Sequence, residues 1–305
     1  MKVILADKAG FCFGVKNIDE KTQEALKEVD NKAVFSYGQL VHNNQYIERR
    51  KSEGLQELDS MEDAKEKLDE NAVVILRAHG VTKEEREGLL ETGATLVDGT
   101  CPVLLGIYKL AKKQNEEGKQ IVIIGDPDHP EIVAMKSYFD EDTVVIQSEE
   151  DVEAFQPSRP TFIISQTTNR RDYFNRLAEL LVAKDEGAVI RPTICNATKE
   201  RQEAVDELSK EVDAMIVIGG QQSSNTEKLA QVAKNNTENT FKIEELSDLV
   251  LQTLAKYDRI GVTAGASTPD WIIEEVVTEM DNFSNEEFME QIEDSMVKIY
   301  PKDIV

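Results

Sequence analysis

Three cysteines, Cys12, Cys101 and Cys195, divide the chain at intervals of 89 and 94 residues. Near-equal spacing suggests three copies of one unit, and that constrains the fold more than any other feature. An apolar, strand-like run precedes each cysteine: "KVILADKAGFC", "ATLVDGTC", "AVIRPTIC". A helical pattern follows each: "VKNIDEKTQEALKEV", "LLGIYKLAKKQNEEG", "ATKERQEAVDELSKEV". A second strand then runs into a polar loop, as in "AVFSYGQLVHNN", "IVIIGDPDHPE" and "AMIVIGGQQSSN". An acid-rich helix start and a last strand with a polar exit complete the unit: "AVVILRAHGVT", "TFIISQTTN", "RIGVTAGASTPD". Measured from its cysteine, each unit carries its polar loops at matching offsets: 30 and 67 (His42, His79), 28 and 66 (His129, Thr167), 29 and 72 (Ser224, Ser267).

Alternating strands and helices predict an α/β fold of parallel sheets with helices outside. Ligands of such sheets bind beyond the carboxyl ends of the strands, where helix N-termini favour anions. If three such units pack around a pseudo-threefold axis with those ends inward, the three cysteines converge on one point.

Composition narrows the function. The 305 residues carry a net charge of −24, with 40% hydrophobic and 31% charged residues. Basic residues are scattered among acids, so neither nucleic acid nor an anionic membrane is an expected partner. Apolar runs such as Ala72–Leu76 and Ala214–Ile218 span five residues, far short of the roughly 20 that cross a bilayer. The N-terminus reaches Asp7 after a brief apolar stretch, so no secretory signal is expected. With three reduced thiols, a cytoplasmic protein is expected. An anionic ligand must then be held by local donors against the global charge.

A single cysteine is most often a small buried hydrophobe. Three at one place in a repeat, each in a Gly- or Pro-flanked turn, suit an iron–sulfur cluster, with one iron lacking a protein thiolate. Zinc in a Cys₃His set is the structural rival. The whole histidine complement, His42, His79 and His129, lies at strand exits and can donate hydrogen bonds to phosphate. Elsewhere hydroxyls and amides take those positions: Thr167, Thr168, Ser223, Ser224, Asn225 and Ser267. Thr226 and Thr268 read as helix N-caps, with Pro269 at the first helical position. Glu131, two residues past His129 and after Pro130, is a candidate proton donor.

The motifs "GFCFGV", "VHN", "AHGV", "TCP", "HPE", "QTT", "CNATKERQ", "SSN" and "TAGASTPD" occur in the order seen in the 4-hydroxy-3-methylbut-2-enyl diphosphate reductase family, which the chain resembles from about residue 3 to 280. Departures fall at Phe13, at "GDPD" before His129 and at Asn196. The resemblance implies three pseudo-equivalent α/β domains arranged as a cloverleaf around a central site, over 13–99, 100–193 and 194–280, the third closed by the N-terminal strand 1–12, with a C-terminal tail over 281–305. It implies an iron–sulfur oxidoreductase of isoprene biosynthesis, acting in the last step of the methylerythritol phosphate pathway. Its 4Fe–4S cluster would be held by Cys12, Cys101 and Cys195, with one open iron facing the substrate hydroxyl. His42, His79, His129, Thr168, Ser223, Ser224, Asn225 and Ser267 would bind the allylic diphosphate. Glu131 would deliver protons, with Thr167 both contacting substrate and completing the relay. Ferredoxin or flavodoxin would supply electrons. The alternatives are another three-cysteine cluster enzyme such as quinolinate synthase, or a non-catalytic redox or metal sensor.

Overall fold

The structure is a computed structural model that describes residues 1–28 and 32–299, without the side chains of Glu28 and of residues 285 onward. Two compact units emerge. One joins Met1–Phe11 to residues 201–305; the other spans Cys12–Glu200.

The larger unit holds two sheets. After α1 (Phe13–Glu28) come β2 (Ala33–Tyr37), α2 (Asn44–Ser52), β3 (Leu55–Leu58), α3 (Met61–Lys67), β4 (Ala72–Leu76), α4 (Lys83–Glu91) and β5 (Thr95–Asp98). The same succession recurs with α5 (Pro102–Glu116), β6 (Gln120–Ile124), α6 (Pro130–Lys136), β7 (Val144–Ile146), α7 (Glu149–Ala154), β8 (Thr161–Ser165), α8 (Arg171–Val182) and β9 (Val189–Ile190). Strand orders are β3-β2-β4-β5 and β7-β6-β8-β9, parallel throughout.

The smaller unit repeats the pattern. α9 (Asn196–Ser209) leads across the unit boundary into β10 (Ala214–Ile218), α10 (Ser224–Lys234), β11 (Thr240–Ile243), α11 (Leu251–Leu254), β12 (Arg259–Ala264) and α12 (Asp270–Ile299). Its sheet has the order β1-β12-β10-β11, where β1 (Lys2–Leu5) pairs in parallel with β12. The stretch 281–299, read from sequence as the start of a tail, continues α12; residues 300–305 lie outside the described residues.

The central strands explain why these runs fold as strands. All five residues of β4, β6, β8 and β10 are buried, and each large aliphatic side chain so covered contributes about 1.5–3 kcal/mol. Such two-faced burial needs a continuous apolar run rather than an alternating one. In every sheet the first two long strands lie side by side: β2 with β4, β6 with β8, β10 with β12. The chain reverses its winding between them, so each pair frames a switch point, where an open sheet leaves a crevice for ligand.

Candidate active site

The three cysteines occupy one structural position. The Cys12, Cys101 and Cys195 carbonyls each accept the first helical hydrogen bond, from Lys16, Leu105 and Lys199, at 2.9, 3.1 and 3.0 Å. Each cysteine thus sits at the N-terminus of a helix, where the dipole favours a thiolate. Two are also tied to strand exits: the Cys101 amide donates to Ala78 O at 3.1 Å, and the Cys195 amide to Thr167 O at 3.0 Å.

Gly14 shows where the sulfurs point. A Cβ placed there would lie 2.7 Å from Cys101 Sγ and 3.9 Å from Cys12 Sγ. Both sulfurs therefore face the same first turn of α1, and only a residue without a side chain leaves them room. Burial pushes the Cys101 thiol above its ordinary value; Val103 and Leu104 amides oppose this, while Cys12 and Cys195 reinforce it. A buried thiol such as Cys101 is a poor thiolate unaided, and a polycationic body bound beside it would remove that cost. Among the described residues, no group of three or more His, Cys, Asp or Glu side chains is disposed to hold a metal ion by itself.

Beside this lies the histidine cluster. The His42 and His79 ring centroids are 4.4 Å apart, and His129 stands 5.9 Å from each, edge-on. His42 follows β2 and His79 follows β4, across one switch point; His129 follows β6. The His129 side chain caps α6, its Nδ1 accepting the Glu131 amide hydrogen at 3.1 Å. That bond assigns the ring proton to Nε2 in the neutral imidazole. Nδ1 of His79 has no hydrogen-bond partner among the described residues.

All three imidazoles titrate low. Burial, then the Arg77 guanidinium, depresses His42. Burial, then His42, His129 and Arg77, holds His79 well below the usual range. Burial, His42 and Arg77 push His129 down to about 4, with Asp126 opposing. Neutral N–H donors in a half-dry crevice suit an anion that brings its own charge.

Glu131 is buried in the first turn of α6. Its Oε1 accepts from the Thr167 amide at 2.7 Å and its Oε2 from the Thr167 hydroxyl at 2.5 Å. Burial raises its carboxyl above the ordinary range, against the opposing effect of those two bonds. Thr168 follows in the same turn after β8.

The smaller unit places its polar residues at the corresponding switch point. Ser223, Ser224 and Asn225 follow β10, and Ser267 follows β12; Ser223, Asn225 and Ser267 are buried. Both amide atoms of Asn225 are without partners among the described residues. One expectation fails here. Thr226 is not the cap of α10: Ser223 is, its hydroxyl accepting the Thr226 amide hydrogen at 3.3 Å. Thr226 is instead fully buried, its Oγ1 2.2 Å from where a Gly265 Cβ would stand. Thr268 donates its hydroxyl to Ile218 O at 3.0 Å, and α12 begins at Asp270.

Two residues at the site were not singled out from sequence. Arg77 lies two positions before His79, a charge closing the apolar run "AVVIL", and that abrupt switch was its only sequence signal. Tyr108 on α5 is 8% exposed, and its hydroxyl has no partner among the described residues. It lies 2.8 Å from where a Gly80 Cβ would stand.

A family model described as LytB protein matches residues 3–281. The chain is 36% identical over 277 residues to the 4-hydroxy-3-methylbut-2-enyl diphosphate reductase of Thermoanaerobacter sp. (strain X514), covering 91% of this chain and 96% of that protein. It is 37% identical over 304 residues to the Clostridium tetani protein of the same name; there it covers 98% of its own length but only 46% of that relative's. A solved structure of (E)-4-hydroxy-3-methyl-but-2-enyl diphosphate reductase, the terminal enzyme of the non-mevalonate pathway, is 34% identical, with a TM-score of 0.69 over 92% of this chain and 99% of that one. The Plasmodium falciparum E-1-hydroxy-2-methyl-but-2-enyl-4-diphosphate reductase is 25% identical with a TM-score of 0.84, covering 90% of this chain and 86% of that one.

Proposed function

We infer that this chain, which belongs to the LytB family, reduces (E)-4-hydroxy-3-methylbut-2-enyl diphosphate to isopentenyl and dimethylallyl diphosphates. The reaction closes the methylerythritol phosphate route to isoprenoids. It breaks the allylic C–O bond; two electrons and two protons enter, one proton leaving with the hydroxyl as water and the other reaching carbon. The family uses an iron–sulfur cluster. The observation that carries the reading is the convergence of cysteine sulfurs on Gly14, with Cys101 and Cys195 bonded to the very turns that hold His79 and Thr167.

Cys12, Cys101 and Cys195 would hold a 4Fe–4S cluster with one open iron. When bound, it supplies Lewis acidity toward the hydroxyl oxygen and a path for electrons. His42, His79 and His129 donate N–H bonds to the diphosphate, which anchors the substrate and fixes its pose. Thr168, Ser223, Ser224, Asn225 and Ser267 belong to the same substrate-binding complement. Glu131, kept protonated to higher pH than an exposed carboxyl by its burial, passes a proton from its carboxyl through the Thr167 hydroxyl toward the departing oxygen. Ferredoxin or flavodoxin delivers the electrons one at a time in the cytoplasm. No described helix is long and apolar enough to cross a membrane.

The test is anaerobic turnover of the allylic diphosphate with a reduced dye. Wild-type protein is expected to carry iron and sulfide and to form both products. Glu131→Gln is expected to keep its cluster and bind substrate while turnover drops by roughly 10²-fold or more. A near-normal rate in that variant refutes the proton role, and bound zinc without sulfide refutes the enzyme.

A further inference from the structure

A protein of net charge −24 must concentrate positive potential locally to hold a diphosphate, and three neutral imidazoles supply donors but no fixed charge. Arg77 stands close enough to influence all three. Its Nε donates to Gly80 O at 2.9 Å, in the turn that carries His79. Its Nη1 lies 2.8 Å from where a Cβ of Gly38 would stand. Gly38 has φ +66 and begins the turn that carries His42. One guanidinium therefore lies against both turns of the β2/β4 switch point.

Its compensation is incomplete. The acid paired with it, Glu85, is 3.9 Å away, with side chains 19% and 25% exposed. Glu85 is committed elsewhere: Oε2 accepts the Thr82 amide hydrogen at 2.7 Å in the capping box of α4, and Oε1 accepts the Tyr37 hydroxyl at 3.2 Å. Held at the limit of ion-pair distance by those bonds, the carboxylate offsets the guanidinium's charge only in part.

We propose that Arg77 is a positioning residue of the diphosphate site, locking the His42 and His79 turns together and supplying the site's permanent positive charge. The inference rests on the substrate reading above. Its charge reaches all three imidazoles, since after burial it is among the causes that hold each of them low. Arginine suits the task because its planar fork bonds the turn through one nitrogen while its charge cannot be titrated away.

The experiment is calorimetric titration of cluster-loaded protein with inorganic diphosphate, at about 0.02 M and about 0.2 M ionic strength. Arg77→Gln is expected to weaken binding about tenfold at low salt and about threefold at high salt, with iron content unchanged. Arg77→Lys, which keeps the charge and loses the fork, is expected to fall between wild type and Arg77→Gln. Glu85→Gln keeps an oxygen for the Thr82 amide, offers its NH2 to the Tyr37 hydroxyl and removes the counter-charge, so it is expected to tighten binding about two- to threefold at low salt. A purely structural network predicts weakening in that variant instead. Arg77→Gln binding within twofold of wild type overturns the proposal, as does weakened binding in Glu85→Gln. Should Arg77→Gln fail to fold, the Lys variant and the opposite sign at Glu85 still decide. Wild-type protein that retains its cluster and does not bind diphosphate removes the substrate reading itself, and this inference with it.

Discussion

The His129 ring accepts the Glu131 amide hydrogen at Nδ1 and stands edge-on to the other two imidazoles, so protonating it costs the fold twice: a buried charge and a lost acceptor. Its folded value of about 4 lies below the ordinary 6.5. The stability this provides is complete above pH 6.5 and is lost as pH falls toward 4. The linked free energy is about 3 kcal/mol for His129 alone, and His42 and His79 act in the same direction. Glu131 acts oppositely, its raised carboxyl favouring the fold at acid pH and opposing it as pH rises through the folded value. With three groups against one, urea midpoints are expected to drop between pH 7 and pH 4.5. His129→Asn, which retains a capping acceptor, is expected to lose about 2 kcal/mol less unfolding free energy over that range. Equal losses in both proteins would mean that His129 is not the group being titrated.

At the scale of elements, each cysteine is a helix N-cap, and α1 approaches the sulfurs by way of Gly14. Gly14→Ala is expected to lower iron and sulfide content severalfold while leaving helix content by circular dichroism unchanged. The added methyl meets Cys101 Sγ at 2.7 Å, and α1 cannot retreat without moving Cys12. Full cluster retention would show that the turn yields. Sequence periodicity located these elements well, because buried parallel strands are apolar on both faces and their exits carry the polar residues. Side-chain direction was less legible. The cap of α10 was misplaced by three residues because "SSNT" offers four chemically competent caps, and only backbone conformation selects Ser223. Arg77 and Tyr108 escaped notice because a lone charge or hydroxyl acquires its role from which turn it lies against, a matter of tertiary packing.

At the scale of the molecule, three sheets share one order of strands, and the strand before each cysteine is an edge strand: β1, β5 and β9. The near-equal cysteine intervals carried the threefold repetition in advance, but not the order of the strands. We propose the repeats as 13–99, 100–193 and 194–280, with β1 completing the last. Removing residues 2–6 is expected to speed amide exchange in β12 by roughly tenfold or more, since β1 pairs along it from Arg259 to Val262. Protection in β2, β4, β6 and β8 is expected to persist, because those strands belong to the other unit. Exchange accelerated equally in all sheets would show that the units unfold as one.

The chain has three histidines, and all of them stand in one cluster. Isotope-labelled histidine would therefore give a magnetic resonance spectrum of three imidazoles with no background from the rest of the polypeptide. The protein carries a built-in reporter for the occupancy of its own crevice.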